Sequence, residues 1–331
     1  MSVLILSVFF ILLFVFELLY FKIADRYNII DHPNHRSSHT KITIRGGGVI
    51  FSIALLSVFL SYGFQYPYFI AGLLLISCVS FIDDIKTISN RNRIICHFIA
   101  VSLLFYQLNM YFLPFYWILL GLIFVIGTIN AINFMDGING ITGGYGLVVL
   151  STLYYIDRYI IDFTSDVYLI VAIISVLVFS FFNFRRKAKC FAGDVGSVSL
   201  AFIILFFLLQ LVIKTNNIDY ILFLLLYGLD AVTTIFFRIL RKENVFEAHR
   251  THFYQFLANE RKISHIIVSI LYMFVQVIIN ILIINYLPHS LASLLVTICL
   301  SFVIFLVMRL SFEGRDHLLG GVANYVGEKN N

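Results

Sequence analysis

The sequence predicts an all-α fold, a polytopic membrane helix bundle of about eleven transmembrane helices. Of its 331 residues, 60% are hydrophobic and 12% are charged, whereas a soluble domain carries roughly 25% charged residues. The apolar residues are also grouped into blocks of about 17 to 23, long enough to cross ~30 Å of hydrocarbon. Because backbone groups in lipid have no water to bond to, these blocks must be helices.

The apolar blocks divide the whole chain, and we expect residues 1–331 to form a single integral-membrane domain. The first block has no basic stretch before it and no small-residue cleavage site after it, so we expect a membrane helix rather than a signal peptide. The predicted spans lie near residues 2–21, 47–62, 67–82, 94–110, 113–129, 140–156, 166–183, 196–213, 219–237, 264–286 and 291–309.

The distribution of loop charge predicts the orientation of these helices. Lys22 and Arg26 follow the first block, which places the N-terminus outside and the 22–46 loop inside. With eleven spans the C-terminus is cytoplasmic, and of the 23 Lys and Arg residues only Arg158 and Lys214 fall in outside loops. The net charge of +5 then reflects the positive-inside bias and attraction to anionic substrates, and needs no nucleic-acid partner.

Unusual polar residues concentrate in the loops predicted to lie inside. The outside segments 62–67, 110–113 and 287–290 contain no Lys, Arg, Asp or Glu. We therefore expect an active site that faces the cytoplasm. Its loops are expected near residues 22–46, 83–93, 130–140, 183–196 and 238–263.

The first two inside loops combine basic residues, glycines and paired carboxylates. Lys41 precedes the run Arg45–Gly48, and Arg45 begins it. The glycines of this run could let backbone N–H groups approach a phosphate. A solvated loop that sets the topology is the alternative. Asp83 and Asp84 lie at a membrane boundary, where carboxylates are costly unless paired or bound to metal. One of them could bind metal while the other orients or accepts a proton, and simple interfacial capping is the alternative.

The fifth predicted span ends in a dense group of amides and carboxylates. Asn130 and Asn133 lie on one helical face with Asp136 near it, and Asn139 follows. Asn offers both a donor and an acceptor, which suits the edge of a uracil or a hydroxylated ring. This pattern indicates a hydrogen-bonding pocket, although the glycines here could simply break the helix.

Two later loops add further polar groups. The turn that contains Asp194 and Ser197 opens the eighth span and resembles a nucleotide-phosphate site, with a carboxylate available for metal. An N-cap role for Asp194 or Ser197 is the alternative. In the 238–263 loop, Arg250 and His252 could bind phosphates and stabilise the charge that develops on them. Asp230, within the ninth span, is either functional or paired with a basic neighbour.

Taken together, these segments resemble the polyprenyl-phosphate N-acetylhexosamine-1-phosphate transferases of glycosyltransferase family 4. This superfamily includes the O-antigen and enterobacterial-common-antigen initiating enzymes and is related to the phospho-MurNAc-pentapeptide transferases. The similarity spans roughly residues 20 to 270, with all motifs in family order. The matching segments are 31–39, 45–48, 83–84 with Ser89 and Arg93, 130–137, 191–197 and the His-containing loop around 252.

The resemblance implies roles for individual residues. Asp194 is similar to the Mg²⁺ ligand, for which Mn²⁺ is an alternative metal, and Phe191 is similar to an aromatic that stacks on uracil. Catalytic roles are implied for Asp83, Asp84 and His252. The expected substrate-binding residues are Lys41, Arg45, Asn133, Asp136, Asn139, Asn183, Phe191 and Arg250.

The implied activity is transfer of GlcNAc-1-phosphate, or of a related HexNAc-1-phosphate, from a UDP-sugar to undecaprenyl phosphate (EC 2.7.8.-). Such a reaction releases UMP and initiates O-antigen or another cell-envelope polysaccharide at the bacterial inner membrane. The loop His252–Gln255 has fewer histidines than the better-known branches, and Asn139 stands where relatives often have Asp, so the sugar is left open. A homodimer is also left open. The alternative from another class is a secondary transporter with buried carboxylates.

Overall fold

The computed structural model describes residues 2–31, 42–245 and 250–320, and helices dominate this part of the chain. Two short strands, β1 (Ile30–Asp31) and β2 (Thr43–Ile44), pair antiparallel, and 3₁₀ helices cover Met110–Phe112 and Ile218–Leu224. The α-helices of the described residues are α1 (Val3–Arg26), α2 (Val49–Ser61), α3 (Pro67–Ile85), α4 (Asn90–Gln107), α5 (Phe115–Met135), α6 (Ile141–Tyr159), α7 (Asp166–Asn183), α8 (Gly193–Thr215), α9 (Leu225–Leu240), α10 (Phe253–Asn259), α11 (His265–Tyr286), α12 (Leu291–Glu313) and α13 (Arg315–Leu319).

The predicted all-α membrane bundle is confirmed, since every predicted apolar block is helical in the structure. Eight segments are long and apolar enough to cross a membrane, by length and composition. The blocks outside that set are α2, α4 and α6. Helix α2 has 13 residues and a length of about 20 Å, less than the hydrocarbon thickness. The number of crossings and the orientation therefore stay predictions.

Helix α8 is the centre of the bundle. The most apolar window of α8 is 83% buried, against 22% for α1 and 11% for α12. Helices α2, α3, α5 and α6 pack around it. The rings of Phe69 and Phe206 stack at 3.8 Å, beside Phe202. Because Gly193 and Asp194 begin this helix, the central element carries its N-terminal turn into the middle of one end of the bundle.

The ninth predicted span, 219–237, differs from expectation because it is divided into a 3₁₀ helix and α9. The fully buried side chain of Gln276 on α11 satisfies the backbone at this break. Its Oε1 accepts from the N–H of Leu226 at 3.1 Å, and its Nε2 donates to the carbonyl of Leu222 at 3.2 Å. Irregular backbone at membrane depth needs such partners inside the protein.

The glycine run before α2 serves a close approach of two loops. The N–H groups of Gly47 and Gly48 donate to the carbonyls of Phe191 and Ala192, at 2.9 and 3.1 Å. The expectation that these two N–H groups bind a phosphate is therefore wrong, because the neighbouring loop already occupies them. A Cβ on Gly48 would lie 2.1 Å from the Cα of Gly196, so only glycine allows this crossing.

Replacing Gly48 with Ala is expected to lower the thermal unfolding temperature of the detergent-solubilised protein, because the two loops must separate. Overpacking of this kind costs about 1–3 kcal/mol. Gly127→Ala is the matched control, since a Cβ there meets no atom within 4 Å. Equal unfolding temperatures for the two variants would contradict the steric account.

Candidate active site

Helix ends and loops from distant parts of the chain form a cavity of ≈ 220 Å³ at one end of the bundle. Four of the five loops that were predicted to form the site contribute residues to this cavity. Residues of the 22–46, 130–140, 183–196 and 238–263 loops all contribute to the wall. The lining residues are Asp31, Arg45, Asn133, Asp136, Gly137, Ile138, Asn139, Asn183, Phe191, Gly193, Asp194, Gln255 and His265.

Three carboxylates share two guanidinium groups at one side of this cavity. Arg45 Nε lies 2.7 Å from Asp84 Oδ1, and Arg45 Nη2 lies 3.4 Å from Asp194 Oδ1. Arg93 Nη1 lies 3.1 Å from Asp83 Oδ2, and Arg93 Nη2 lies 3.6 Å from Asp194 Oδ2. With all three carboxyl groups ionised, this cluster would carry net negative charge, which favours an additional cation.

Asp84 acts as a cap for helix α8. Its side chain is fully buried, and its two oxygens accept from the N–H groups of Asp194 at 2.9 Å and Val195 at 3.0 Å. These are donors at a helix N-terminus, where a carboxylate is stabilising. Because both oxygens are engaged and the side chain is absent from the cavity wall, Asp84 positions Asp194. The geometry of Asp84 therefore fits a capping role better than direct contact with the reacting groups.

Asp194 is the most accessible carboxylate of the cluster. Its side chain is 20% exposed, against 6% for Asp83 and 0% for Asp84. Its ion-pair distances are also the longest of the three. Asp83 is held more tightly, since it also accepts from the N–H of Ile88 at 2.5 Å. Asp194 is therefore the carboxylate best placed to bind a ligand from the cavity.

The cluster fits a Mg²⁺ ion that is shared with a substrate. Within residues 2–31, 42–245 and 250–320, no group of three or more His, Cys, Asp or Glu residues is arranged to hold a metal. Protein sites for Mg²⁺ often supply only one or two carboxylates, and substrate phosphates and waters complete the shell. Asp194 and Asp83, the two carboxylates that Arg93 contacts, match such a donor set.

Amide and carboxyl groups line the other side of the cavity. Asn133 Oδ1 accepts from Ser197 Oγ at 2.5 Å, and Asp136 Oδ1 accepts from Thr142 Oγ1 at 2.6 Å. Burial, followed by the negative charge of Asp194, raises the pKa of Asp136 to about 7, although the Thr142 hydroxyl opposes this shift. Asp136 is thus partly protonated near neutral pH, so that it can donate as well as accept a hydrogen bond.

Asn139 and Asn183 hold the loops of the cavity in place. Asn139 Nδ2 donates to the carbonyl of Arg185 at 2.8 Å. Asn183 Oδ1 accepts from the N–H of Gly140 at 2.7 Å, and its Nδ2 donates to the carbonyl of Cys190 at 2.9 Å. Both polar atoms of Asn183 are therefore committed to backbone groups. Direct substrate contact was predicted for both residues. The geometry favours such contact for Asn139 over Asn183.

Phe191 presents its ring to the cavity from a fixed backbone. Its N–H donates to the carbonyl of Ile44 at 2.8 Å, and its carbonyl accepts from the N–H of Gly47. The same pairing brings Arg45 next to Phe191 across the wall. An aromatic ring and a cation are thus held side by side, the combination that a base with attached phosphates requires.

The sequence matches a glycosyl transferase family and proteins named as phosphosugar transferases. Residues 66–212 match the sequence model of glycosyl transferase family 4. A Bacillus subtilis protein named "Probable undecaprenyl-phosphate N-acetylglucosaminyl 1-phosphate transferase" is 27% identical over 255 residues, 70% of each chain. The chain is similar to the polyprenyl-phosphate N-acetylhexosamine-1-phosphate transferase superfamily.

Two phospho-N-acetylmuramoyl-pentapeptide-transferases are similar over a shorter region. Those of Dictyoglomus thermophilum and Listeria welshimeri are each 29% identical to this chain, over 174 and 185 residues. Each match covers 46% of this chain, and the chain spans only 55% and 56% of the length of these two relatives. The matched family region contains Asp83, Asp136 and Asp194.

Four of the described residues that were predicted for the site do not line the cavity, namely Asp83, Asp84, His252 and Arg250. His252 is 2% exposed and its Nδ1 lies 3.2 Å from Asp230 Oδ1, so it sits behind the cavity wall. Arg250 Nη2 lies 3.8 Å from Glu260 Oε1 and is also outside the lining. The predicted catalytic contact by His252 and the predicted substrate contact by Arg250 are therefore corrected: His252 lies behind the wall, and Arg250 lies outside the lining. Lys41 lies outside the described residues.

Six lining residues were not assigned to the site from the sequence, and Gln255 and His265 are two of them. Gln255 belongs to the predicted loop, but its neutral amide is a weaker sequence signal than His252 and Arg250. His265 is the first residue of α11, directly after the Ser264 N-cap, and was counted as part of a membrane span. A His at the inside end of a predicted span was the available signal, because the first turn of a helix faces the same compartment as the loop before it.

Proposed function

We propose that this chain transfers N-acetylhexosamine-1-phosphate from a UDP-sugar to undecaprenyl phosphate. The observation that carries the proposal is the cavity itself. It joins an amide-lined pocket beside Phe191 to a cluster of three carboxylates and two guanidinium groups. The printed name of the Bacillus subtilis relative supports the same lipid acceptor and GlcNAc as the sugar.

The proposed reaction is a displacement at the phosphorus that bears the sugar. An oxygen of the lipid phosphate forms a new P–O bond, and the P–O bond to the bridging oxygen breaks. The bridging oxygen and its electron pair leave with UMP, and the product is a lipid pyrophosphate sugar. The lipid phosphate is largely ionised near neutral pH, since its second pKa is about 6, so no strong base is needed.

Binding and charge neutralisation are the main tasks of the residues in this reaction. Mg²⁺, or Mn²⁺ in its place, would be held by Asp194 with Asp83 and would supply positive charge to the phosphates. Arg45 is 34% exposed and reaches the cavity, so it can bind a phosphate oxygen directly. Asp83 is held by Arg93 and the Ile88 N–H, which favours an orienting role over a covalent intermediate.

The proposed cellular place is the bacterial inner membrane, with the active site facing the cytoplasm. Positive-inside loop charge supports this orientation, and the product would initiate O-antigen or another cell-envelope polysaccharide. The transporter alternative rested on buried carboxylates. Asp83, Asp84 and Asp194 instead have specific partners around one cavity, which favours the enzyme.

Product analysis tests the proposal directly. The protein in nanodiscs would be incubated with undecaprenyl phosphate, Mg²⁺ and a panel of UDP-HexNAc donors, and the lipids analysed by mass spectrometry. We expect one lipid pyrophosphate HexNAc and an equal amount of UMP. Release of UDP in place of UMP, or no lipid product with any donor, would refute the proposed reaction class, while the productive donor identifies the sugar.

A further inference from the structure

Asp230 is a fully buried carboxylate in α9 that the proposed reaction does not use. Its Oδ1 accepts from the N–H of Phe253 at 2.9 Å, and its Oδ2 accepts from the N–H of Tyr254 at 3.2 Å. The hydroxyl of Tyr272 also donates to Oδ2, at 2.6 Å. Asp230 therefore reaches from a membrane helix to the first residues of α10 and satisfies their backbone donors.

Helix α12 contacts Thr251, which lies just before α10 in the chain. Arg309 is 1% exposed, and its Nη2 donates to the carbonyl of Thr251 at 2.9 Å. Its Nη1 donates to Thr234 Oγ1 at 2.8 Å, and that hydroxyl lies 3.3 Å from Asp230 Oδ1. Glu313 pairs with the same guanidinium at 2.5 Å. Two membrane helices thus fix residues 251–254 through one connected polar network.

The segment fixed in this way forms part of the cavity wall. Gln255 lines the cavity, and its Oε1 accepts from the N–H of His252 at 3.3 Å. Tyr254 Oη donates to the carbonyl of Phe134 at 3.0 Å, and a Cβ on Gly137 would lie 2.2 Å from that Oη. Movement of α10 would therefore shift Gln255 and loosen the turn after Asp136.

We propose that Asp230 and Arg309 are positioning residues that hold α10 against the nucleotide-sugar side of the active site. Helix α10 has only seven residues, too few to be stable alone, and its N-terminal donors need acceptors. Two buried side chains from α9 and α12 meet these needs. The inference rests on the proposed function only for the identity of the ligand, a UDP-sugar.

The test uses Asp230→Asn, which keeps the shape of the side chain but replaces one acceptor with a donor. We expect KM for the UDP-sugar to rise tenfold or more, with KM for undecaprenyl phosphate unchanged and kcat within about threefold. Amide hydrogen exchange at Phe253 and Tyr254 should become faster. Asp219→Asn is the matched control: Asp219 is equally buried in the same predicted span, and neither readout should change.

A milder variant, Thr234→Val, removes the hydroxyl between Arg309 and Asp230 and should raise KM for the UDP-sugar about threefold. If both variants fold and neither moves KM or the exchange rates, the inference is overturned. Faster exchange at Phe253 without a KM change also overturns it, since α10 would then be loosened without consequence for the site. If the wild-type protein transfers no sugar, the proposed function fails. Hydrogen exchange still tests whether Asp230 and Arg309 hold α10 in place.

Discussion

Replacing Asp194 with Asn is expected to reduce the rate of sugar-phosphate transfer by roughly 10³-fold or more, because metal neutralisation contributes several kcal/mol. Asp194 is the accessible carboxylate of its cluster, and its ion pairs with Arg45 and Arg93 are long, at 3.4 and 3.6 Å. Asn keeps one oxygen but loses the negative charge that holds Mg²⁺ between the protein and the phosphates. The fold should survive, since Asp84 caps the backbone of residue 194 rather than its side chain.

The measurement is UMP release by purified protein at a series of Mg²⁺ concentrations. Wild-type activity should be lost on chelation and restored by Mg²⁺, whereas Asp194→Asn should stay inactive throughout. Asp162→Asn serves as control, since Asp162 is exposed beyond the opposite end of α6 and should behave as wild type. Activity of Asp194→Asn within tenfold of wild type would remove Asp194 from the metal role.

Much of the fold could be predicted because membrane spans leave a strong sequence signal. Apolar blocks identified every long helix, and their order brought the polar ends together. The break before α9 could not be predicted, because it depends on Gln276, a single side chain on α11 that satisfies both Leu222 and Leu226. Hydropathy reports length and polarity, whereas such a break depends on a partner fifty residues away in sequence.

The membership of the site was easier to predict than the position of each side chain. Asp194 and Asp136 line the cavity as expected, but Asp84 and His252 lie behind its wall. Residue type marks a polar end of the bundle, yet only packing decides which carboxylate receives backbone N–H groups and which stays accessible. Gln255, in contrast, lines the cavity but was not predicted for the site. Its exposure to the cavity follows from the way Asp230 holds α10.

The ion pair between Arg45 and Asp84 provides the second prediction of large effect. Asp84→Asn should lower the free energy of unfolding by about 1.5–3 kcal/mol, because it leaves the partly exposed guanidinium without its closest partner. In the intact protein burial lowers the pKa of Arg45, but Asp84 and Asp194 raise it above its ordinary value. In the variant the guanidinium remains charged because an arginine side chain is not deprotonated in proteins. Transfer should fall roughly 10²-fold, since the N-terminal turn of α8 that carries Asp194 loses one of its two acceptor oxygens.

The double variant Asp84→Asn with Arg45→Gln separates the two effects. Removing both charges of a buried pair is often nearly neutral for stability, so the thermal unfolding temperature should recover most of its loss. Transfer should not recover, because Arg45 also faces the cavity beside Asp194 and a neutral Gln cannot bind phosphate in its place. Recovery of both quantities would mean that the pair only balances charge. Recovery of stability alone is the expected result, because the Arg45–Asp84 pair both stabilises the loop crossing and orients the group that meets the phosphates.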